Sequence, residues 1–292
     1  MPVELGMHGQ PLAAAATDSG GSAFQCGASG RMARTIGEGE YWDMSVCIVT
    51  GGGGPRIGNG ICRALSSKGW TVVVADRDLA AAVGVADELR AAGGEAVAME
   101  LDVTDVESVR GVVAATVAEF GRIDGLVNSA GVGSRGDGAE ASPEEFDRVN
   151  GINYRGPWTC IREVVPVMVE GGGGSIVNIG SVHSAGAADT FTLYAGTKAA
   201  LAALSRGIAR DYGRRGIRCN IVHPGAVEVR GNEHVLDEFV AKQQMLPAAV
   251  EAIDIGNAVA FLLSAEARAI TGVELFVDAG TTAMLFSNGF TD

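Results

Sequence analysis

Tyr194 and Lys198, in the stretch YAGTK, stand four residues apart, which on a helix puts them one turn apart on the same face. A lysine ammonium beside a phenol favours the phenolate and lowers the phenol's pKa, making tyrosine a usable acid/base near neutral pH. An ordinary surface pair is the plainer reading. Against it, the chain has only three lysines, Lys68, Lys198 and Lys242, and this one sits in a stretch otherwise charged by arginine. Thirteen residues before Tyr194, Ser181 ends the apolar run SIVNIGS, where a hydroxyl can donate to a substrate oxygen. A second set of residues has the makings of a phosphate cradle. TGGGGPRIGNG, residues 50–60, follows one apolar run and opens a helix-like one. Glycines there let the backbone approach a pyrophosphate, and a helix N-terminus offers unpaired N–H groups; a flexible turn is the bland alternative. Asp76 ends the next apolar run, near the ~20-residue spacing of an acid that holds ribose hydroxyls. An acid at that point also repels a 2′-phosphate, which favours NAD over NADP. Asp76 could instead cap the following helix, but Asp78 can do that by itself and leave Asp76 free.

These residues need elements to position them. SVCIVT (45–50), TVVVAD (71–76), EAVAMEL (95–101), IDGLVNS (123–129), GSIVNIG (174–180), IRCNIV (217–222) and GVELFVD (272–278) are short runs rich in Val and Ile. They are apolar on both faces, as strands covered from both sides must be. Helical stretches lie between them, notably 78–93, 105–121 and 192–213. Alternation of this kind predicts an α/β fold: a Rossmann-like, doubly wound parallel sheet of about seven strands with helices on both faces. Catalytic groups at strand ends then line the crevice at the carboxyl edge of the sheet. No linker or repeat divides residues 45–292, so they read as one domain. Residues 1–44, with small side chains and no clear period, read as an N-terminal arm or tail.

Bulk properties exclude several functions. Of 292 residues, 47% are apolar and 20% charged, enough for a sizeable core. A net charge of −13 opposes binding to nucleic acid or an anionic membrane surface, since both need clustered Lys and Arg. The five cysteines (26, 47, 62, 160 and 219) form no CxxC pair, so neither a disulfide framework nor a zinc or other metal site is expected. A reducing cytoplasm is the simplest setting, and no run approaches the ~20 apolar residues of a membrane span.

From Ser45 to about Gly280 the sequence resembles the short-chain dehydrogenase/reductase family, in its short single-domain branch. NSAG (128–131) is similar to the family's NNAG, with Ser129 for the second Asn. INYRG carries Asn153, LDVTD carries Asp102, and HPGAVEV and ITGVELFVDAG are similar to the family's closing segments. The resemblance implies a catalytic set of Asn153, Ser181, Tyr194 and Lys198. Tyr194 would exchange a proton with the substrate oxygen, Lys198 would hold the nicotinamide ribose, and Asn153 would hold a water. It also implies cofactor contacts from Gly51, Arg56, Ile57 and Gly58 in the loop, Asp76 and Arg77 after the second strand, and Asp102 and Val103 near the adenine. Asn128, Ala130, Gly131, Tyr194, Lys198, Pro224, Gly225 and Val227 complete that set. Substrate contacts fall to Ser181 and Tyr194. His183, two residues past Ser181, reads equally as a substrate contact or as a side chain facing solvent at the cleft mouth; His223 reads as structural. A homodimer or homotetramer, paired as the resemblance implies through the two helices over roughly 142–170 and through the last strand, would bury the apolar GPWTCIREVVPVMV.

Departures from the family pattern qualify this. Gly51 and Gly58 are seven residues apart where the pattern has six, and Arg56 replaces the middle glycine. Gly51–Gly54 are expected to supply slack for the longer loop, with Arg56 at its rim and a helix starting near Ile57. A basic residue there accompanies NADP in some relatives, and Asp76 outweighs it. Val229 stands where many relatives have Thr. The substrate lid, 228–250, is short and polar, which suits a small or medium polar substrate. The leading expectation is an NAD-dependent dehydrogenase of a secondary alcohol. An NADPH-dependent 3-oxoacyl thioester (acyl-carrier protein) reductase is the alternative, and a cofactor-binding regulator without catalysis stands apart from both.

Overall fold

Strands apolar on both faces can only lie in the middle of a sandwich, and the computed structural model places them there. It describes residues 34–35, 41–42, 45–186, 188–227 and 242–284. Seven strands form one sheet: β1 (Val46–Thr50), β2 (Thr71–Asp76), β3 (Ala96–Glu100), β4 (Gly125–Asn128), β5 (Gly174–Ile179), β6 (Ile217–Pro224) and β7 (Glu274–Val277). Every pairing is parallel, in the order β3-β2-β1-β4-β5-β6-β7. Most strands are slightly shorter than their apolar runs, but β6 runs on to Pro224. The direction of winding reverses between β1 and β4, so the chain leaves their carboxyl ends toward opposite faces and opens a crevice there.

Because side chains alternate across a strand, each strand feeds two cores. Cys47, Val49, Val72, Val74, Val127 and Val177 belong to one, with residues of α1 (Ile57–Ser67), α2 (Leu79–Ala91) and a later helix over Ala252–Leu263. Val46, Ile48, Val73, Leu126 and Ile176 belong to the other. There they meet α3 (Val106–Phe120) and α5 (Gly156–Glu170), which continues the helical run begun by α4 (Pro143–Asn150), together with the far end of α6 (Thr192–Tyr212). Between α4 and α5 the helix loosens into one π-type turn, Gly151–Arg155. Helix Ala252–Leu263 is α7 and is capped by Glu251 and Asp254 in a reciprocal box. Asp78 caps α2 by accepting from the Ala81 N–H.

By internal contacts the chain separates into Met1–Tyr41 and Trp42–Asp292. In the first 44 residues only two short strands, Arg34–Thr35 and Tyr41–Trp42, are among the described residues. Of the segment expected as a lid, 228–241 lies outside them, Val229 included. No helix among the described residues is long and apolar enough to cross a membrane.

Candidate active site

The carboxyl ends of β1, β2, β4, β5 and β6 border one cleft of about 790 Å³. At its first end the backbone itself makes the wall. Gly51 has φ +67°, and a Cβ there would lie 2.8 Å from Ala130 Cα. A Cβ on Gly58 would lie 2.1 Å from the Gly51 oxygen, so α1 starts hard against the loop. Gly53 is equally close to Ala82, and only Gly54 has open space around it. Most of the loop glycines therefore serve close approach rather than the slack expected of them. Helix α1 begins at Ile57, and Arg56, its N-cap, is exposed and makes no side-chain cap. The first-turn N–H groups of α1 thus keep their capacity for an anion.

Asp76 is not free. One of its oxygens accepts from the Gly53 N–H and the other from the Asp78 N–H, both at 3.0 Å. Two acceptor positions remain on a carboxylate with about four, enough for a pair of ribose hydroxyls. Asp102 lines the same end, and hydrogen bonds from Thr104 hold its carboxyl below the usual range. Arg77, Val103, Ala130 and Gly131 line the cleft, as do Pro224 and Gly225. Asn128 and Val227 do not. Asn128 is buried and donates to Asn178 Oδ1 at 2.8 Å, so it ties β4 to β5. Val227 pairs with Val250 and packs on the core. Thr50, which is not among the expected site residues, does more here: its Oγ1 accepts from the Ser129 and Ala130 N–H groups, both at 3.1 Å, and fastens β1 to the turn after β4.

The other end is made of side chains. Ser181 leaves β5, and Tyr194 and Lys198 rise from α6, all lining the cleft. Lys198 Nζ is buried, donates to the Ile179 carbonyl at 2.8 Å, and lies 5.5 Å from the Tyr194 ring centre. Burial lowers its pKa to about 8. Tyr194 departs from expectation: burial raises its pKa, and contact with Ser181 only partly offsets that. Desolvation of the phenolate outweighs the lysine here, whose own charge is weakened by the same burial. Asn153 sits in the π-type turn, fully buried. Its amide accepts from Val132 N at 2.9 Å and donates to the Val132 carbonyl and Thr197 Oγ1. The side chain thus pins the loop after β4 to α6.

His183 is half-buried and lines the cleft. Its Nδ1 is 3.0 Å from Ser181 Oγ, and its ring packs against Phe191 (4.4 Å) and edge-on to Tyr194 (5.7 Å). Burial and the Arg135 charge keep it neutral by lowering its pKa. His223 is wholly buried, and its ring takes the space a side chain on Gly180 would need. Its Nδ1 lies 3.1 Å from Ser181 N and 3.0 Å from the Ser181 oxygen, and its Nε2 is 3.1 Å from Glu274. His223 thereby fixes the backbone that carries Ser181.

The donor set suits a dinucleotide. Close-approach glycines and the uncapped start of α1 would hold a pyrophosphate, Asp76 and Asp102 the adenosine portion, and Lys198 the second ribose. Among the described residues no cluster of His, Cys, Asp and Glu is placed to hold a metal.

Comparison with known proteins agrees with this geometry. Residues 55–282 match a family model described as enoyl-(acyl carrier protein) reductase. The chain is 35% identical over 238 residues to the 2,5-dichloro-2,5-cyclohexadiene-1,4-diol dehydrogenase of Sphingobium indicum, covering 80% of this chain and 95% of that one. It is 32% identical over 245 residues to the 3-oxoacyl-(acyl-carrier-protein) reductase of Staphylococcus aureus, covering 81% and 98%. Among solved structures, a gluconate 5-dehydrogenase from Burkholderia cenocepacia, in complex with NADP and tartrate, superposes with TM-score 0.78 at 30% identity, covering 82% and 96%.

Proposed function

The chain belongs to the short-chain dehydrogenase/reductase family, and we propose that it is an NAD-dependent oxidoreductase interconverting a secondary alcohol and its ketone. The observation that carries this reading is the meeting of Ser181, Tyr194 and Lys198 at one end of a cleft whose other end suits a dinucleotide. The nicotinamide supplies the hydride chemistry. The chain's own groups do the rest. Ser181 Oγ orients the substrate oxygen, exchanging its contact with His183 for one with the substrate. The Tyr194 hydroxyl donates a proton to that oxygen in reduction and accepts one in oxidation. Its raised pKa keeps it protonated near neutrality, ready as a donor. Oxidation needs the phenolate, and the Lys198 ammonium is the charge that stabilises it.

Asp76 favours NAD, because its carboxylate would face the 2′-phosphate of NADP. One observation favours the second reading, an NADPH-dependent reductase of 3-oxoacyl thioesters: Arg56 and Arg77 line the same end as Asp76. Screening secondary alcohols and ketones with each cofactor decides between them. NAD should lead by at least about tenfold in kcat/KM, since ~1.4 kcal/mol of repulsion suffices; equal or better efficiency with NADP contradicts the assignment.

A homodimer or homotetramer is part of the same proposal. Trp158 is 41% exposed beside a groove of about 450 Å³ between α5 and α6, lined by Ile161, Val165, Val169 and Ile208. A second copy of these helices is the covering that fits it.

A further inference from the structure

The Tyr194 end of the cleft holds a cation that the reaction described above leaves without a task. We propose that Arg135 is an anion anchor, and that the substrate is a secondary hydroxy acid or keto acid whose carboxylate sits apart from the reacting carbon. This rests on the oxidoreductase reading and names the substrate class for it.

Arg135 lies in the loop after β4 and lines the same cleft as Ser181 and Tyr194. Its guanidinium carbon stands 4.8 Å over the Phe191 ring. Phe191 in turn lies 4.4 Å from His183 and 6.0 Å from Tyr194. One continuous wall therefore runs from the proton-transferring phenol to the guanidinium. The loop is held in that place: Gly136 N–H donates to the Thr190 carbonyl at 3.0 Å, tying it to the segment that enters α6.

The charge pattern gives the wall its meaning. Arg63, Arg110, Arg122, Arg148 and Arg206 each pair with a carboxylate. Among the described residues none lies within ion-pair distance of Arg135, in a chain with 35 acids and 22 bases. The acids that line the cleft, Asp76 and Asp102, belong to its other end. Arg135 is exposed at the cleft mouth and makes no ion pair among the described residues, so its charge is available to a substrate that reaches that end. His183, held neutral, can share a hydrogen bond but adds no second charge. A single planar guanidinium matches a carboxylate, which it can grip through two parallel hydrogen bonds.

The test compares short secondary hydroxy acids with their methyl esters, each pair matched in carbon skeleton, on the wild-type protein, Arg135→Gln and Arg135→Lys. The wild type should prefer acid over ester by at least about tenfold in kcat/KM, roughly what one charged hydrogen bond contributes. Arg135→Gln should collapse that ratio toward one by raising KM for the acids, and Arg135→Lys should restore part of it. A wild type indifferent to the charge, or an Arg135→Gln that lowers acids and esters alike, overturns the anchor and leaves the oxidoreductase standing. Calorimetry of tartrate and succinate with cofactor-loaded protein gives a reading independent of turnover. Binding weakened about tenfold or more in Arg135→Gln supports the anchor, and binding that is absent or equal in both proteins contradicts it. Failure of the oxidoreductase reading looks different: no alcohol, charged or neutral, reduces the cofactor.

Discussion

At the loop end of the cleft the backbone does the shaping, whereas at the Tyr194 end side chains from three separate segments do it. Gly51 and Gly58 bring β1, the start of α1 and Ala130 so close that no side chain fits between them. Ser181, His183, Phe191, Tyr194 and Arg135 instead meet across space through their side chains. A surface made by backbone approach is general, fitting the part that cofactors share. A surface made by side chains is adjustable, fitting what differs between substrates. The contrast predicts that changes at the first end act on binding and those at the second on turnover and selectivity.

Tyr194→Phe should show the largest effect. It removes the only proton-transferring hydroxyl and should cut turnover by roughly a hundredfold to ten-thousandfold. Cofactor affinity, measured by fluorescence titration, should change little; a large loss of affinity would merge the two ends. Gly58→Val probes the other end. Its Cβ would overlap the Gly51 oxygen, so binding should fall by about a hundredfold or more if the chain folds. Circular dichroism and a thermal melt establish folding first. Wild-type binding by a folded variant would place the cofactor elsewhere.

Asp76→Asn should act next. It removes the charge while keeping an acceptor for the Gly53 or Asp78 N–H, so the loop persists and the preference for NAD should narrow by about tenfold. An alanine there would also strip the loop of both bonds and blur the result. The smallest effect is the pH dependence. Tyr194 is raised, so its proton stays bound through neutrality, and ketone reduction should hold from acid to neutral pH and fall in alkali. Alcohol oxidation should rise with pH as the phenolate forms. It should level off above about 8, where Lys198 loses the charge that stabilises the phenolate. Oxidation that instead falls steadily from pH 6 to 9 would mean that Tyr194 is not the base.

The same contrast explains what the sequence could show. β-runs apolar on both faces made the seven parallel strands legible, and glycine spacing with Asp76 and YxxxK marked both ends of the cleft. The π-type turn at 151–155 had no signature, because it depends on how Asn153 packs against Val132 and Thr197. The rise in the Tyr194 pKa was hidden for a similar reason: spacing shows that a lysine is near, but burial decides which effect wins. His223 read as structural, yet only the fold shows that it holds the backbone of Ser181. Arg135, fifty-nine positions before Tyr194, had no local pattern to connect it with Phe191. Contacts across the fold were the missing information in each case.

The central claim is that hydride passes between substrate carbon and nicotinamide while Tyr194 moves the proton. A secondary alcohol deuterated at its carbinol carbon, incubated with NAD and the protein, tests it directly by mass spectrometry and NMR. The account predicts that reduced cofactor and ketone form in equal amounts, with the deuterium on nicotinamide C4 and none in the solvent. Tyr194→Phe should bind the cofactor and leave the deuterium where it began. Deuterium lost to water, or a Tyr194→Phe variant that transfers it at the wild-type rate, would contradict the account.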